Sequence, residues 1–218
     1  SVTKARILSA DIPENKKWVN LQEIPTNQIF MKISANAQGS QITGRRTTIL
    51  KGHDALGYRK EYQTKDSLVN KQELVKEKLA ISNLKRTEME DDFVTIQEDL
   101  DFILEAEKSE DHIYINPMLF PQLTKNPFIQ SERILPVEFP YLYRLNLSCA
   151  LTLPEGYEVE EIPHSQVVKT EDGKLQCKYM IQRNGNKVIV NYSFSLNSSV
   201  CLPSIIASYR KYGIRQLK

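Results

Sequence analysis

From Arg144 to Leu153 the chain alternates in a way that leaves one local structure open to it. Leu145, Leu147, Cys149, Leu151 and Leu153 share one parity, and Arg144, Asn146, Ser148, Ala150 and Thr152 share the other. Successive strand side chains point to opposite faces, so the segment predicts a strand with one apolar face and one wet face. Pro154-Glu155-Gly156 breaks it, and Tyr157 and Val159 resume the pattern.

Asn184-Gly185 is a strong hairpin signal. Leu175, Cys177, Tyr179 and Ile181 alternate before it, and Val188, Val190, Tyr192, Phe194 and Leu196 after it. A turn centred on Asn184-Gly185 pairs Ile181 with Val188, Tyr179 with Val190, Cys177 with Tyr192 and Leu175 with Phe194. All of these partners lie on one face.

Earlier in the chain, Trp18, Val19 and Leu21 suggest a short strand closed by Pro25. Ile29, Met31 and Ile33 alternate, residues 36–40 read as a turn, and Gln41 to Leu50 reads as the returning strand. Asp54 is the expected cap of a short helix to about Tyr62, with Leu56, Tyr58 and Tyr62 inward. A second helix is expected from Asp66 or Ser67 to Leu79. Period two returns with Val94, Ile96, Leu100, Phe102 and Leu104. A charged turn at residues 107–111 and a short strand at residues 112–116 follow. Met118 to Gln130 reads as a surface connection. Ile205, Ile206, Tyr209 and Tyr212 suit one face of a C-terminal helix started by Pro203 or Ser204.

These readings give a mainly β fold with a few helices (α+β). Its units are 1–105, with helices near 54–79, and 106–218, an antiparallel β-sandwich or half-barrel with a terminal helix. A net charge of +2 argues against a nucleic-acid binder, and no apolar run approaches a membrane span. The chain opens on Ser1, so a fragment of a longer protein is expected.

Little catalytic chemistry is on offer. The three cysteines lack CxxC spacing, and the three histidines lie apart. Cys149 and Cys177 fall on apolar faces and are expected to be buried and inert, which leaves a Cys-His hydrolase a poor third reading. Glu98, Asp99, Asp101 and Glu105 do not follow a calcium-loop spacing. Asp99 and Asp101 point away from the apolar stripe, into water. Arg45-Arg46 reads as solvated strand-face charge rather than an anion site. No metal or cofactor is expected. Asn146-Leu-Ser, Asn191-Tyr-Ser and Asn197-Ser-Ser match the glycosylation pattern, a short motif with little weight alone.

The pieces Asn126-Pro127-Phe128, Glu132-Arg133, Pro136-Val137-Glu138-Phe139 and Leu153-Pro154-Glu155-Gly156-Tyr157 carry a resemblance. The run from Asn126 to Pro163 resembles the C-terminal domain of unknown function that follows a transglutaminase-like core in secreted or periplasmic proteins of Gram-negative bacteria. Upstream, residues 52–62 resemble the segment between core and last domain, and Trp18-Val19-Asn20-Leu21 the strand closing the core's tail.

The resemblance implies a Cys-His-Asp core lying before Ser1, a periplasmic or cell-surface location, and a non-catalytic accessory role for this chain. Its expected partner is that core. The alternative is a β-module binding a polysaccharide or peptide, with Tyr141, Tyr143, Arg144 and Tyr157 as surface candidates. Half-buried sheet tyrosines are the plainer account of those residues.

Overall fold

The computed structural model describes residues 4–6, 13, 18–20, 26–64, 79–88, 95–122 and 135–201. Two short strands, β1 (Lys4–Arg6) and β2 (Trp18–Asn20), pair antiparallel at the N-terminus. Then come β3 (Thr26–Gln38), β4 (Gln41–Lys51), helix α1 (His53–Thr64), β5 (Leu79–Glu88) and β6 (Thr95–Glu105). A small hairpin joins β7 (Glu107–Ser109) to β8 (His112–Tyr114). The C-terminal strands are β9 (Val137–Glu138), β10 (Leu142–Thr152), β11 (Gln166–Lys169), β12 (Leu175–Asn184), β13 (Lys187–Leu196) and β14 (Val200–Cys201).

The protein is mainly β with one helix among the described residues, as its alternation predicts. The C-terminal strands β10 to β13 are antiparallel to one another, and they continue the sheet of the N-terminal strands. Eight strands line up in the order β11-β12-β13-β10-β3-β4-β6-β5. The seam is a parallel pair, β10 against β3, which places Leu145 beside Ile29, Leu147 beside Met31 and Cys149 beside Ile33. Every other pair in this sheet is antiparallel.

Parity explains the core. The odd positions of β3, and those of β10 from Leu145 on, are buried, and Ile33, Leu145 and Cys149 are 1% exposed or less. Ile42, Leu100 and Phe102 from β4 and β6, and Val188, Val190 and Tyr192 from β13, extend this inner face. Gly44 is required there, because a Cβ would lie 2.5 Å from the Ser34 carbonyl oxygen and 2.8 Å from the Phe102 ring. Leu153, Val159 and Ile162 pack against this core.

Several expectations shift. The β12–β13 turn is Gly185-Asn186, so Ile181 pairs with Val190, Tyr179 with Tyr192, Cys177 with Phe194 and Leu175 with Leu196. Both registers keep the apolar faces together, so parity cannot choose between them. Turn chemistry does. Gly185 has φ of +59°, which suits the first central position of a II′ turn.

Among the described side chains of α1 the buried one is Ala55, while Leu56 is 45% exposed and the Tyr62 side chain lies outside the description. The helix is not capped by the Asp54 side chain. Asn27 of β3 does this, its Oδ1 accepting from the Asp54 backbone N–H at 2.9 Å. Residues 107–109 are a strand rather than part of a turn. Met118 and Leu119, expected on the surface, are 3% and 8% exposed. The expected helices over residues 66–78 and 203–212 lie outside the described residues, and Leu79 opens β5 instead.

Candidate functional site

The most concentrated chemistry lies under α1, on the inner face of the N-terminal half-sheet. Arg46 of β4 and Glu98 of β6 occupy core-parity positions, and Glu98 is 5% exposed. The Arg46 guanidinium donates to Glu98 Oε1 at 2.5 Å. The Tyr58 hydroxyl reaches down from α1 and donates to Glu98 Oε2, and Arg86 Nε donates in turn to the Tyr58 oxygen. Arg86 Nε also lies 3.5 Å from Glu98 Oε2.

Arg86 reaches this face through a bulge. The β5–β6 register shifts between Ser82 and Lys85, and Asn83 takes φ of +51°. An extra residue flips the parity, so Leu79 and Ile81 face inward before it and Arg86 after it. Asn tolerates the left-handed conformation, and its Nδ2 donates to Asp101 Oδ2 at 2.8 Å.

The segment after β8 closes the cluster. Phe120 N–H donates to the Met118 carbonyl at 2.6 Å, a tight turn around Leu119, whose φ is +56°. This conformation is strained for leucine, and the burial of Met118 and Leu119 holds it. Phe120 then lies under Arg46, with the guanidinium carbon 4.7 Å from the ring centroid, and edge-on to Phe102 at 4.9 Å.

Burial first, and the Glu98 carboxylate second, push the Tyr58 phenol above its ordinary range. Both Glu98 oxygens accept from side chains of the cluster, Oε1 from Arg46 and Oε2 from Tyr58. A perturbed group in an ion network that joins α1 to β4, β5 and β6 reads as a structural fastening of helix to sheet rather than an acid–base site.

The Arg45-Arg46 pair divides. Arg45 is solvated, its side chain 67% exposed and 3.3 Å from Asp101, as expected. Arg46 overturns the expectation, with a side chain only 12% exposed. Asp99 and Asp101 lie on the outer face as predicted. The Thr47 hydroxyl at 2.6 Å, then Gln97 at 2.7 Å, hold the Asp99 carboxyl below its usual range.

The four predicted surface residues do not converge. Tyr141 stacks on His53 at 5.1 Å, just before β10 begins. Tyr143 is half-buried edge-on to Phe194 at 6.0 Å, and burial raises its phenol. Arg144, one residue on, faces the opposite side of the sheet. Tyr157 lies beyond the far end of the eleven-residue β10, 46% exposed.

Cys149 is buried between Ile33 and Val190, and burial pushes its thiol up to about 12. Cys177 is half-buried and raised for the same reason. His112 is exposed, 3.0 Å from Glu160. Among the described residues no His, Cys, Asp and Glu side chains gather as a metal-ligand group. No helix among them is long and apolar enough to cross a membrane.

The outer face carries an open concavity of about 620 Å³ running across β4, β3, β10, β13 and β12. No carboxylate lines it. Sequence reading missed both this groove and the buried cluster. The signal for the cluster was a charged residue interrupting the apolar parity of β6 at Glu98, matched by Arg46 on the core parity of its neighbour.

Residues 111–213 match the family model of a domain of unknown function with a solved structure (DUF3858). A crystal structure of a "putative protease" from Parabacteroides distasonis is 20% identical with a TM-score of 0.35. That match covers 42% of this chain and 19% of the other. No curated protein matches the chain.

Proposed function

We propose that this chain is a non-catalytic β scaffold that packs on and positions a transglutaminase-like, protease-like core of a larger periplasmic or cell-surface protein. The observation that carries the reading is the eight-stranded sheet itself, packed on one face and, across its central strands, open on the other. A sheet of this size presents a broad platform. Its one dense charged cluster among the described residues ties helix to sheet through its own members, as suits a fastening. Cys149, the thiol that a cysteine hydrolase would need ionised, is buried with its pKa pushed up to about 12.

The test begins with the coding sequence upstream of Ser1. If it encodes a Cys-His-Asp core, that core is produced with and without this chain. Both are compared by thermal unfolding and by hydrolysis of an acyl-transfer substrate. The proposal expects the core to lose several degrees of stability, or most of its turnover, when the scaffold is missing. A core indifferent to the deletion, or an upstream frame that encodes none, contradicts it.

A further inference from the structure

The outer-face groove has an internal order that the scaffold reading does not use. Two of its side-chain rows cross four strands. One runs Phe30 (β3), Asn146 (β10), Ser193 (β13), Lys178 (β12). The next runs Lys32, Ser148, Asn191, Met180 on the same strands.

In side-chain position alone, a pseudo-two-fold axis between β10 and β13 therefore exchanges Asn146 with Asn191 and Ser148 with Ser193, although β3 runs parallel to β10 and β12 antiparallel to β13. It also exchanges Phe30 with Met180 and Lys32 with Lys178. The two central Asn-x-Ser motifs, which match a glycosylation pattern in the sequence, form the polar floor. Their spacing of two puts amide and hydroxyl on one face of a strand.

Each end of the floor then has one exposed apolar side chain and one lysine. Phe30 and Met180 are both 38% exposed. Neither Lys32 nor Lys178 has an ion-pair partner among the described residues. By contrast, Arg45 on the same face is paired with Asp101, and no carboxylate lines the groove. Three strand spacings and one row separate the two lysine Cα atoms by roughly 16 Å, about the span of five residues of extended chain.

We propose that this groove is a binding site for an extended acidic–apolar peptide segment lying across the strands. Its carboxylates meet Lys32 and Lys178, its apolar side chains lie on Phe30 and Met180, and its backbone amides bond to the Asn and Ser floor. The lysine–apolar pairs at the two ends are related in side-chain position by the pseudo-axis, so the site accepts either chain direction. The proposal is independent of the scaffold reading, since a free peptide tests it without any core.

The probe is a fluorescein-labelled peptide with two Leu-Glu pairs five residues apart in a serine background. Its reversed sequence, a glutamate-to-lysine version and oligogalacturonate are run beside it, all by anisotropy against the intact chain. Expected is saturable binding that weakens with salt, with the reversed peptide within about twofold. Lys32→Ala or Lys178→Ala should weaken binding about two- to fivefold, and Lys32→Glu or Lys178→Glu about tenfold or more. Both lysines are exposed, so unchanged melting temperatures confirm that the variants fold. No saturable binding, equal binding by the Glu variants, or preference for the lysine peptide overturns the proposal. Binding of oligogalacturonate in place of the peptide overturns it in favour of an anionic glycan site.

Discussion

The two halves of the sheet share a backbone plan and differ in what they bury. The C-terminal half, β10 to β13, fills its inner face with Leu145, Leu147, Cys149, Leu151, Val188, Val190 and Tyr192. In the N-terminal half, β3 to β6, Arg46, Thr48 and Glu98 interrupt an otherwise apolar face, and Arg86 and Tyr58 complete the cluster. Apolar faces are non-directional, so the first half needs only parity and volume. The second positions one helix by directed hydrogen bonds, and these tolerate the loss of a member poorly.

The largest expected effect follows from that contrast. Glu98→Ala leaves the Arg46 and Arg86 charges buried without their carboxylate and is expected to cost about 3–5 kcal/mol in urea unfolding. A loss under about 1 kcal/mol would mean that water reaches the arginines and the cluster is not buried. Leu151→Ala, in the apolar half, is expected to cost about 2–5 kcal/mol as a core truncation. A loss below about half a kcal/mol would put β10 the wrong way round.

Between pH 9 and 10, below the phenols of both halves, alkaline pH probes the buried thiols of the C-terminal half by chemistry instead of mutation. The Cys149 thiol has its folded pKa raised from 9.0 to about 12, so its protonated form is favoured in the folded state. That contribution is complete below pH 9 and is lost as pH rises towards 12. The unfolding free energy should fall in that window, by about 1 kcal/mol per pH unit. Tyr179, raised to about 12, adds to the same trend above pH 10. Cys149→Ala should flatten the slope between pH 9 and 10; an unchanged slope would show that the thiol titrates freely.

Smaller still is Asn27→Ala, at the seam between the halves. It removes the cap of α1 and is expected to cost about 0.5–2 kcal/mol, with loss of helical ellipticity as a second readout. Smallest is Arg45→Ala, expected within about half a kcal/mol because its ion pair with Asp101 is solvated. If Arg45→Ala matched Arg46→Ala in cost, the assignment of the pair to opposite faces would fail.

What the sequence made legible follows the same division. Alternation placed β3, β10, β12 and β13 with the inner parity of each, because these strands obey period two without interruption; it placed β4 and β6 as strands, but not the face of Arg46 or Glu98. The β5 strand was invisible because the bulge at Asn83 changes its parity midway, and so Arg86 could not be assigned a face. Glu98 was read as flanking the apolar stripe although it shares the parity of Ile96 and Leu100. A carboxylate on a core face makes sense only once its partners on β4, β5 and α1 are known. The hairpin register slipped because Asn-Gly and Gly-Asn turns keep the same apolar faces. The outer groove depends on the β10–β3 seam, a parallel pairing between residues more than a hundred positions apart, which no local pattern reports.

That seam also bears on the family match. Residues 111–213 contain β10 to β13, but β3, which flanks β10, lies outside the matched range. The central structural claim is that both halves form one cooperative sheet. Native-state hydrogen exchange of the intact chain tests it most directly, by comparing amides of Met31, Ile33 and Ala35 in β3 with those of Leu147, Cys149 and Leu151 in β10. One sheet predicts that both sets open with the same free energy and shift together under urea and on Glu98→Ala. Two separate opening energies, with the β10 set unmoved by Glu98→Ala, would contradict it and return the chain to two independent β units.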